Sequence, residues 1–391
     1  MYKSIIYSVL GLIPCIGFGQ GLVNAGMTIN QSSGMSIYVD QGGVSNLQGG
    51  QINNEGTLYL EKDWTQSGAG TGYSGNGMLR FEGATNQQIS GLTSVTNLHV
   101  NNGNKLTLGS ALSISNTIDL NNNGSVELSN NNLVLSSGAI LSGYDANNYI
   151  ITNGTGTFTR QVGSSSMVFP VGNSIYNPLS ISNNGTVDNF NVRVEDAVYQ
   201  NGTSGSLVSS NVVRKTWFVG EETAGGSDIT VTPQWNTSDE GSSFDRNNSG
   251  VAYWNGSAWN HPASLGAANN LTATTWNIAR NSVTQVGVFV IEDAQPIGVE
   301  QLADGRESNI SLFPNPAKDY LNIQFDGLVV PVTSLRIYAA NGQLVYQEQV
   351  QIEDDQVLML DVVQKLAAST YTLVIGFEDG KYLTKEFVRA L

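Results

Sequence analysis

The side chains that could do chemistry are few and scattered. Between Leu98 and Ile150 the acidic residues are Asp119, Glu127 and Asp145, and Lys105 is the one basic residue. Glycoside hydrolysis needs two carboxyl groups that face each other across the scissile bond. Asp119 and Glu127 each lie between apolar residues of short β-type runs, so both are expected to project outward from different strands. This arrangement favours solubilising charges over a catalytic pair.

The two histidines offer no stronger chemistry. His99 alternates with Leu98 and Val100 and should point away from a core, and His261 lies in a polar loop. Neither has a second histidine at the spacing of a metal site, and the sequence has no Gly-x-Ser-x-Gly elbow for a serine nucleophile. We therefore expect no metal, no cofactor and no catalytic residue.

Two tryptophans could form a stacking platform for sugar rings. Trp254 and Trp259 flank an Asn255-Gly256 pair, which favours a tight hairpin with one indole on each arm. Exposed indoles would stack on a glycan, but a β-sandwich core needs large aromatic side chains equally. The sequence favours the core and leaves glycan binding open.

Composition limits the classes of partner. The chain has 391 residues, a formal net charge of −15 and 13% charged residues. This length predicts two or three domains. Nucleic acids and anionic membranes attract clusters of Lys and Arg, which the sequence lacks, so neither is an expected partner.

The amino terminus is predicted to be a secretory signal peptide, residues 1–20. Lys3 precedes an apolar stretch from Ile5 to Phe18, which is shorter than the roughly 20 residues of a transmembrane helix. Cleavage would remove Cys15, the only cysteine, so we expect a mature chain without disulfides. No other apolar run is long enough to cross a bilayer, so an integral membrane protein is not expected.

Residues 21–162 are predicted to be a β-helix-like repeat region. Apolar pairs at alternate positions recur about every twenty residues, and four alignments of these pairs define the register: Leu79 with Leu98, Leu98 with Ile118, Leu106 with Val126, and Leu112 with Leu133. Asn and Gly occupy the corners, where left-handed backbone angles are needed. A period of three short strands is typical of parallel coils that bury every second side chain. The alternative, a polar segment that stays unfolded, would not keep this register.

The character of the sequence changes after about Tyr149. Longer β-type runs and most of the tryptophans follow, and they predict a β-sandwich over residues 163–292. Residues 293–307 contain proline and glycine without alternation, which predicts a linker where processing could occur.

Residues 308–391 predict a third, seven-stranded sandwich. Seven short runs of β-branched or aromatic residues are separated by turn residues: 310–313, 320–325, 335–338, 343–346, 357–360, 371–375 and 383–388. Asn341-Gly342 favours a tight hairpin between the third and fourth runs. Pro314 and Pro316 lack amide donors, so they should lie at a strand edge or just before the first full strand.

Several short segments of residues 308–391, in this order, resemble the C-terminal sorting domain (type A) of cargo for the type IX secretion system of Bacteroidota. The residues that carry the resemblance are Phe313, Pro314, Asn315, Pro316, Ala317, Asn341, Gly342, Tyr371, Lys385 and Phe387. The resemblance implies an Ig-like sandwich that the secretion machinery recognises after export to the periplasm. It also implies that a sortase removes the domain when the passenger is attached to the cell surface.

These features predict an all-β chain: a β-helix-like repeat region, then a β-sandwich, then a seven-stranded Ig-like sorting sandwich. We expect a non-catalytic secreted or cell-surface protein, an adhesin or a structural surface component, that contacts surface glycan or matrix. The alternative is a carbohydrate-binding or polysaccharide-degrading extracellular protein. That alternative requires two carboxylates converging in a groove, whereas the structural role predicts a groove lined by Asn, Ser and Thr.

Overall fold

The computed structural model describes residues 21–40, 42–68, 72–257, 259–262, 264–293, 310–328, 330–340, 343–378 and 382–390. The predicted signal peptide, residues 294–307 of the predicted linker, and Asn341-Gly342 lie outside these ranges. Within them, the secondary structure is β-strand apart from two short 3-10 segments, Thr237–Asp239 and Asp361–Lys365. The predicted all-β class is confirmed. The chain divides into two compact units, Met1–Tyr149 and Ile150–Leu391.

The first unit consists of short parallel strands that stack coil upon coil. In chain order the strands are β1 (Leu22–Asn24), β2 (Thr28–Gln31), β3 (Ser36–Val39), β4 (Val44–Asn46), β5 (Gln51–Asn54), β6 (Thr57–Leu60), β7 (Trp64–Gln66), β8 (Tyr73–Ser74), β9 (Met78–Phe81), β10 (Gln87–Ser90), β11 (Ser94–Val100), β12 (Lys105–Leu108), β13 (Leu112–Leu120), β14 (Ser125–Glu127), β15 (Leu133–Leu135) and β16 (Ile140–Ser142). One sheet has the order β1-β4-β7-β10-β12-β14, a second has the order β3-β6-β9-β11-β13-β15, and β2, β5 and β8 form a third. We call this unit the solenoid.

The register between coils is the one that the apolar pairs predict. All four predicted alignments are cross-strand partners: Leu79 with Leu98, Leu98 with Ile118, Leu106 with Val126, and Leu112 with Leu133. These side chains are buried, and each contributes about 1.5–3 kcal/mol by leaving water. The predicted β-helix-like repeat is therefore confirmed.

The solenoid differs from the prediction in one detail. The runs at Leu112–Ile114 and Ile118–Leu120 are not two strands with a corner between them but the single strand β13, which pairs with both β15 and β16. Ser115, Asn116 and Thr117 contain no Gly or Pro to turn the chain, and the Asn116 side chain donates to Asn97 Oδ1 of the neighbouring coil at 2.7 Å. The strand therefore continues from the first apolar pair to the second.

Buried amide side chains hold the corners of the first coils. Asn46 accepts a hydrogen bond from Asn24 Nδ2 at 2.9 Å and donates to the carbonyl oxygens of Gly50 and Gly72, at 3.2 and 2.8 Å. Gly72 tolerates this approach because it has no Cβ, which would lie 2.6 Å from Asn46 Nδ2. Stacked amides thus satisfy corner carbonyls that would otherwise be buried without a partner.

The second unit begins with two mainly antiparallel sheets. Its strands are β17 (Ile150–Ile151), β18 (Phe158–Val162), β19 (Met167–Phe169), β20 (Val171–Gly172), β21 (Leu179–Asn183), β22 (Asp188–Glu195), β23 (Tyr199–Asn201), β24 (Ser204–Leu207), β25 (Thr216–Glu221), β26 (Ile229–Asn236), β27 (Ser249–Trp254), β28 (Trp259–Asn260), β29 (Asn269–Thr272), β30 (Thr275–Asn277), β31 (Arg280–Val283) and β32 (Val288–Asp293). One sheet has the order β18-β22-β25-β32-β27-β28, and the other has the order β19-β21-β26-β30-β29 with β31 beside β26. Trp217 and Trp235 are fully buried, and both indole N–H groups find acceptors, Asn177 O and Glu240 Oε1. The predicted sandwich is present; its exact boundaries, 163–292, stay a prediction.

The last seven strands form two antiparallel sheets. They are β33 (Ile310–Phe313), β34 (Leu321–Phe325), β35 (Val332–Ala339), β36 (Leu344–Ile352), β37 (Gln356–Leu360), β38 (Ser369–Phe377) and β39 (Tyr382–Arg389). The three-stranded sheet has the order β33-β34-β37 and the four-stranded sheet has the order β36-β35-β38-β39. Alternate residues of both sheets fill one apolar core that includes Phe325, Leu335 and Phe387. All seven predicted strands are present.

Candidate sorting site and passenger side chains

The Phe313 to Ala317 segment runs beside the outer edge of the last strand, β39. Pro314 and Pro316 have no amide hydrogen, and both are exposed. Their placement at a strand edge agrees with the prediction. Between and after the prolines, Asn315 and Ala317 supply the polar groups that contact β39. This arrangement brings the beginning of the domain against its end.

Four hydrogen bonds make this contact. The Val388 amide donates to Asn315 Oδ1 at 2.9 Å, and Asn315 Nδ2 donates to the Glu386 carbonyl at 3.3 Å. The Ala317 amide donates to the Val388 carbonyl at 2.7 Å, and the Ala390 amide donates to the Ala317 carbonyl at 2.8 Å. We call this set of four bonds the clasp. It gives partners to backbone groups of an edge strand that would otherwise face water or another chain.

The other predicted residues of β38 and β39 stabilise the inner side of the same strand. The Tyr371 and Phe387 rings stack at 5.6 Å with 21° between their planes, and both are buried. Tyr371 Oη donates to the Ala367 carbonyl at 2.8 Å, so its hydroxyl is satisfied. Lys385 lies opposite Leu373 in the β38 and β39 pairing. The structure therefore brings Asn315, Ala317, Tyr371 and Phe387 together around β39.

Phe313 does not take part in the clasp. Its side chain is 41% exposed on β33, although it belongs to the same short segment. Asn341 and Gly342, predicted to form a hairpin between β35 and β36, lie outside the described residues. Of the predicted segment, Asn315 and Ala317 contact β39, and Phe313 faces outward.

Four residues of this site are not among the individually predicted ones: Glu386, Val388, Arg389 and Ala390, whose amide donates to the Ala317 carbonyl. Glu386 and Val388 take part through their backbone, and Arg389 Nε donates to the Val363 carbonyl at 2.9 Å. A backbone group carries no residue-specific signal, so only the pairing itself could reveal the first two. The partner of Arg389 is the backbone carbonyl of Val363 in the 3-10 segment, which the sequence around Arg389 does not indicate.

In the solenoid, His99 pairs with Asp119 across neighbouring coils. His99 Nδ1 lies 3.0 Å from Asp119 Oδ2, and Asp119 also accepts from Asn121 Nδ2 and Ser142 Oγ, at 2.6 and 2.7 Å. The alternation correctly predicted that His99 lies on the outward side, but the residue is only 8% exposed. Burial, together with the nearby Arg80 charge, lowers the pKa of His99 below its usual 6.5.

The other two acidic residues between 98 and 150 are also engaged. Glu127 Oε2 lies 2.5 Å from Lys105 Nζ. Asp145 Oδ1 accepts from the backbone amides of Asn147 and Asn148, at 2.7 and 2.9 Å, as in a turn closed by its own side chain. Asp119 lies on β13 and Glu127 on β14, which belong to different sheets. The three carboxylates are therefore not brought together.

Trp254 and Trp259 lie opposite each other on β27 and β28, as the predicted hairpin requires. Their rings meet edge to face at 5.5 Å. Trp259 Nε1 donates to the Gln200 carbonyl at 2.7 Å, and the Trp259 ring packs against the small apolar cluster around Val290. Both indoles are half-buried. Their contacts are those of packing residues, with part of each ring left at the surface.

His261 also has an acidic partner. Its Nδ1 lies 2.7 Å from Oε1 of Glu292, which is buried on β32. Among the described residues, no group of three or more His, Cys, Asp or Glu side chains is placed to hold a metal ion. The described part of the chain contains no helix that is long and apolar enough to cross a membrane.

Comparison with known proteins identifies the last domain. Residues 311–389 match the family model described as "Secretion system C-terminal sorting domain". Neither a curated protein nor a solved structure matches the chain. The match includes all of β34 to β39 and every residue of the clasp except Ala390. The seven-stranded domain is therefore a C-terminal sorting domain, and it directs the chain to export through the type IX secretion system.

Proposed function

We propose that the passenger, residues 21–292, is a non-catalytic surface component that mediates adhesion or matrix contact. The observation that carries this proposal is the bonding of the three acidic residues between Leu98 and Ile150, the carboxylates that glycoside hydrolysis would have required. Asp119 bonds to His99, Asn121 and Ser142, Glu127 pairs with Lys105, and Asp145 closes its own turn. A carboxylate held in this way serves structure and is not positioned opposite a second one for hydrolysis.

The outward surface of the second solenoid sheet supports the same proposal. Its side chains stack from coil to coil: the Tyr38 and Tyr59 rings are parallel at 4.3 Å, and the Arg80 guanidinium lies 5.2 Å from the centre of the Tyr59 ring. His99 and Asp119 continue the column in register. Such a ladder makes a stiff surface from repeated weak contacts, which suits a spacer or a contact surface.

The proposed role depends on where the protein resides. Export through type IX secretion takes the chain to the cell surface or beyond. We propose that the cell is a Bacteroidota bacterium, that residues 1–20 are removed as a signal peptide, and that a sortase replaces the sorting domain with an anchor at the outer membrane. The partner would then be a surface glycan or matrix polymer.

Carbohydrate binding is the second candidate. It rests on Trp254 and Trp259, whose half-buried indoles leave part of each ring at the surface. A ring face is the part of an indole that stacks on a sugar. The two rings contact each other edge to face, and Trp259 Nε1 donates a hydrogen bond to the Gln200 carbonyl. Because these contacts are those of packing residues, we favour adhesion that does not use the two indoles over sugar binding.

One experiment separates these roles. Cells that carry or lack the full-length chain are compared for attachment to glycan-coated and matrix-coated surfaces, and the purified chain is incubated with a panel of polysaccharides. We expect reduced attachment without the protein and no new reducing ends. Release of reducing ends that disappears in an Asp119→Asn variant would refute the non-catalytic role. Loss of attachment in Trp254→Ala alone would favour the sugar platform.

A further inference from the structure

The six outward side chains of the three-stranded sheet in the sorting domain are uncharged, and the nearest carboxylate shown to contact them is that of Asp326, just after β34, which accepts two hydrogen bonds from Gln324 Nε2 at 3.0 Å. Cross-strand pairing places these six side chains in two rows: Phe313, Asn322 and Met359 in one, and Ser311, Gln324 and Val357 in the other. Directly opposed residues of a sheet point to the same side, so these six form one surface. We call this surface the uncharged face.

Three of the six side chains are apolar and unusually exposed. Phe313, Val357 and Met359 are 41%, 57% and 59% exposed, whereas their neighbours Leu321, Ile323 and Phe325 are buried on the other side of the sheet. Asn322 and Gln324 lie between them on the central strand. Exposed apolar groups gathered on one face mark a contact surface more often than scattered ones.

The outward side of the four-stranded sheet differs. Tyr338, Thr372 and Glu386 lie in one row across β35, β38 and β39. Arg336 lies in the next row, and its guanidinium is 5.9 Å from the Tyr382 ring. Threonine and charged side chains are the ordinary covering of a solvated sheet. The four-stranded sheet thus presents charged side chains on its outward side, and the uncharged face has none among its six residues.

Phe313 links the uncharged face to the sorting segment. Asn315 and Ala317 of that segment are used by the clasp, and Ala317 is buried. Phe313, two residues earlier, has no buried role in the described structure. Aromatic and methionine side chains are enriched at the centres of protein interfaces. Asn315 and Ala317 thus hold the segment against β39, while Phe313 of the same segment is exposed at the surface.

We propose that the uncharged face is the surface with which the sorting domain docks onto the type IX secretion machinery. The inference rests on the export role of this domain, since the match to the sorting family covers all six residues and makes the machinery the partner that must contact it. A complementary surface on the machinery would be predominantly apolar. Phe313, Val357 and Met359 are its anchors.

The test introduces glutamate on one or the other side of the domain in the full-length chain. Val357→Glu and Met359→Glu, singly and together, alter the uncharged face, and Leu344→Glu is the matched control, since Leu344 is 43% exposed on the four-stranded sheet. The variants are expressed in a type IX-competent host, and fractionation with intact mass measures where each chain accumulates. We expect the exported fraction of the double variant to be at least tenfold lower than that of the wild type. The exported fraction of Leu344→Glu should equal that of the wild type.

Further arms keep the outcome interpretable. The thermal unfolding of each purified full-length variant shows whether the domain is folded, and Val357→Thr with Met359→Gln removes apolar area without adding charge, with an intermediate loss expected. Normal export of the folded double variant, or an equal loss in Leu344→Glu, would overturn the proposal.

A dimer of the wild-type chain that dissociates in Met359→Glu would also overturn it, because the uncharged face would then join two copies of this chain. A chain lacking residues 308–391 should stay in the periplasm; if it is exported, the sorting role itself fails, independently of the face.

Discussion

The solenoid and the sorting domain close their structures over very different distances in sequence. Hydrogen bonds between amide side chains of neighbouring solenoid coils join residues about one coil apart, such as Asn24 and Asn46, which are separated by 22 positions. The two side-chain bonds of the clasp join residues separated by 71 and 73 positions. Damage to a solenoid is expected to stay local because each coil contacts only its neighbours. Damage to the sorting domain should affect the whole sandwich, because its first and last segments depend on each other.

The largest expected effect is in the sorting domain. Phe387→Ala removes a fully buried ring that stacks on Tyr371, and we expect the free energy of unfolding of this domain to fall by about 3–5 kcal/mol. Calorimetry of the full-length chain should show one transition moving as a unit while the solenoid transition stays in place. Phe313→Ala is the control, since Phe313 is exposed and its loss should cost about 0.5 kcal/mol or less.

The corresponding change in the solenoid should be nearly as costly but confined. Ile118 is fully buried on β13, and Ile118→Ala should cost about 2–5 kcal/mol. Amide hydrogen exchange should speed up in β11, β13 and β16, which contact the site, and remain slow in the buried strands of the first coils. Uniform acceleration over all coils would show that the solenoid unfolds cooperatively and would remove the contrast between the two regions.

The clasp gives a smaller, graded effect. Asn315→Ala deletes the partners of Val388 N and Glu386 O, and we expect about 1–2 kcal/mol, because both bonds lie at an exposed edge. Asn315→Asp keeps an acceptor for Val388 N and loses only the Nδ2 donor, so it should cost about half as much. Denaturant unfolding measures both. If Asn315→Ala leaves the midpoint unchanged, the Asn315 side chain has no stabilising role, and the two backbone bonds of Ala317 alone hold the segment to β39.

The smallest effect is the dependence of solenoid stability on pH. Burial and the Arg80 charge lower the pKa of His99 in the folded chain, so below about 6.5 the unfolded chain binds the proton more readily. Stability is thus fully present above about pH 6.5 and falls as the pH decreases, by at most about 1.4 kcal/mol per pH unit. His99→Gln should flatten this slope between pH 7 and 5 in thermal unfolding. An unchanged slope would assign it to other groups.

The sequence predicts the solenoid well because its information is periodic and local. Leu98 and Ile118 occupy equivalent positions of successive coils, so their spacing alone gives the register. Where the spacing shows two separate apolar pairs, Leu112/Ile114 and Ile118/Leu120, the structure has the single strand β13, because both pairs align with the next coil and Ser115-Asn116-Thr117 has no Gly or Pro to turn the chain.

The candidate sites were less accessible to prediction. Alternation shows on which side of a strand His99 lies but not how deeply neighbouring side chains cover it. The clasp uses the backbone of Glu386 and Val388, whose side chains give no hint of a partner some seventy positions earlier. The resemblance named Asn315 and Phe387, but only the folded structure shows that they hold the two sides of one strand.

Because of the clasp, the sorting domain can fold only after translation has reached its last strand. The acceptor and donor groups of the clasp include Val388 and Ala390, which leave the ribosome after every residue of the passenger. A chain whose translation stops before Phe387 lacks both the ring that fills the core and the strand edge that Asn315 binds. Such a fragment cannot close its sorting domain. Export that requires a folded sorting domain would therefore select chains whose passenger has been translated completely.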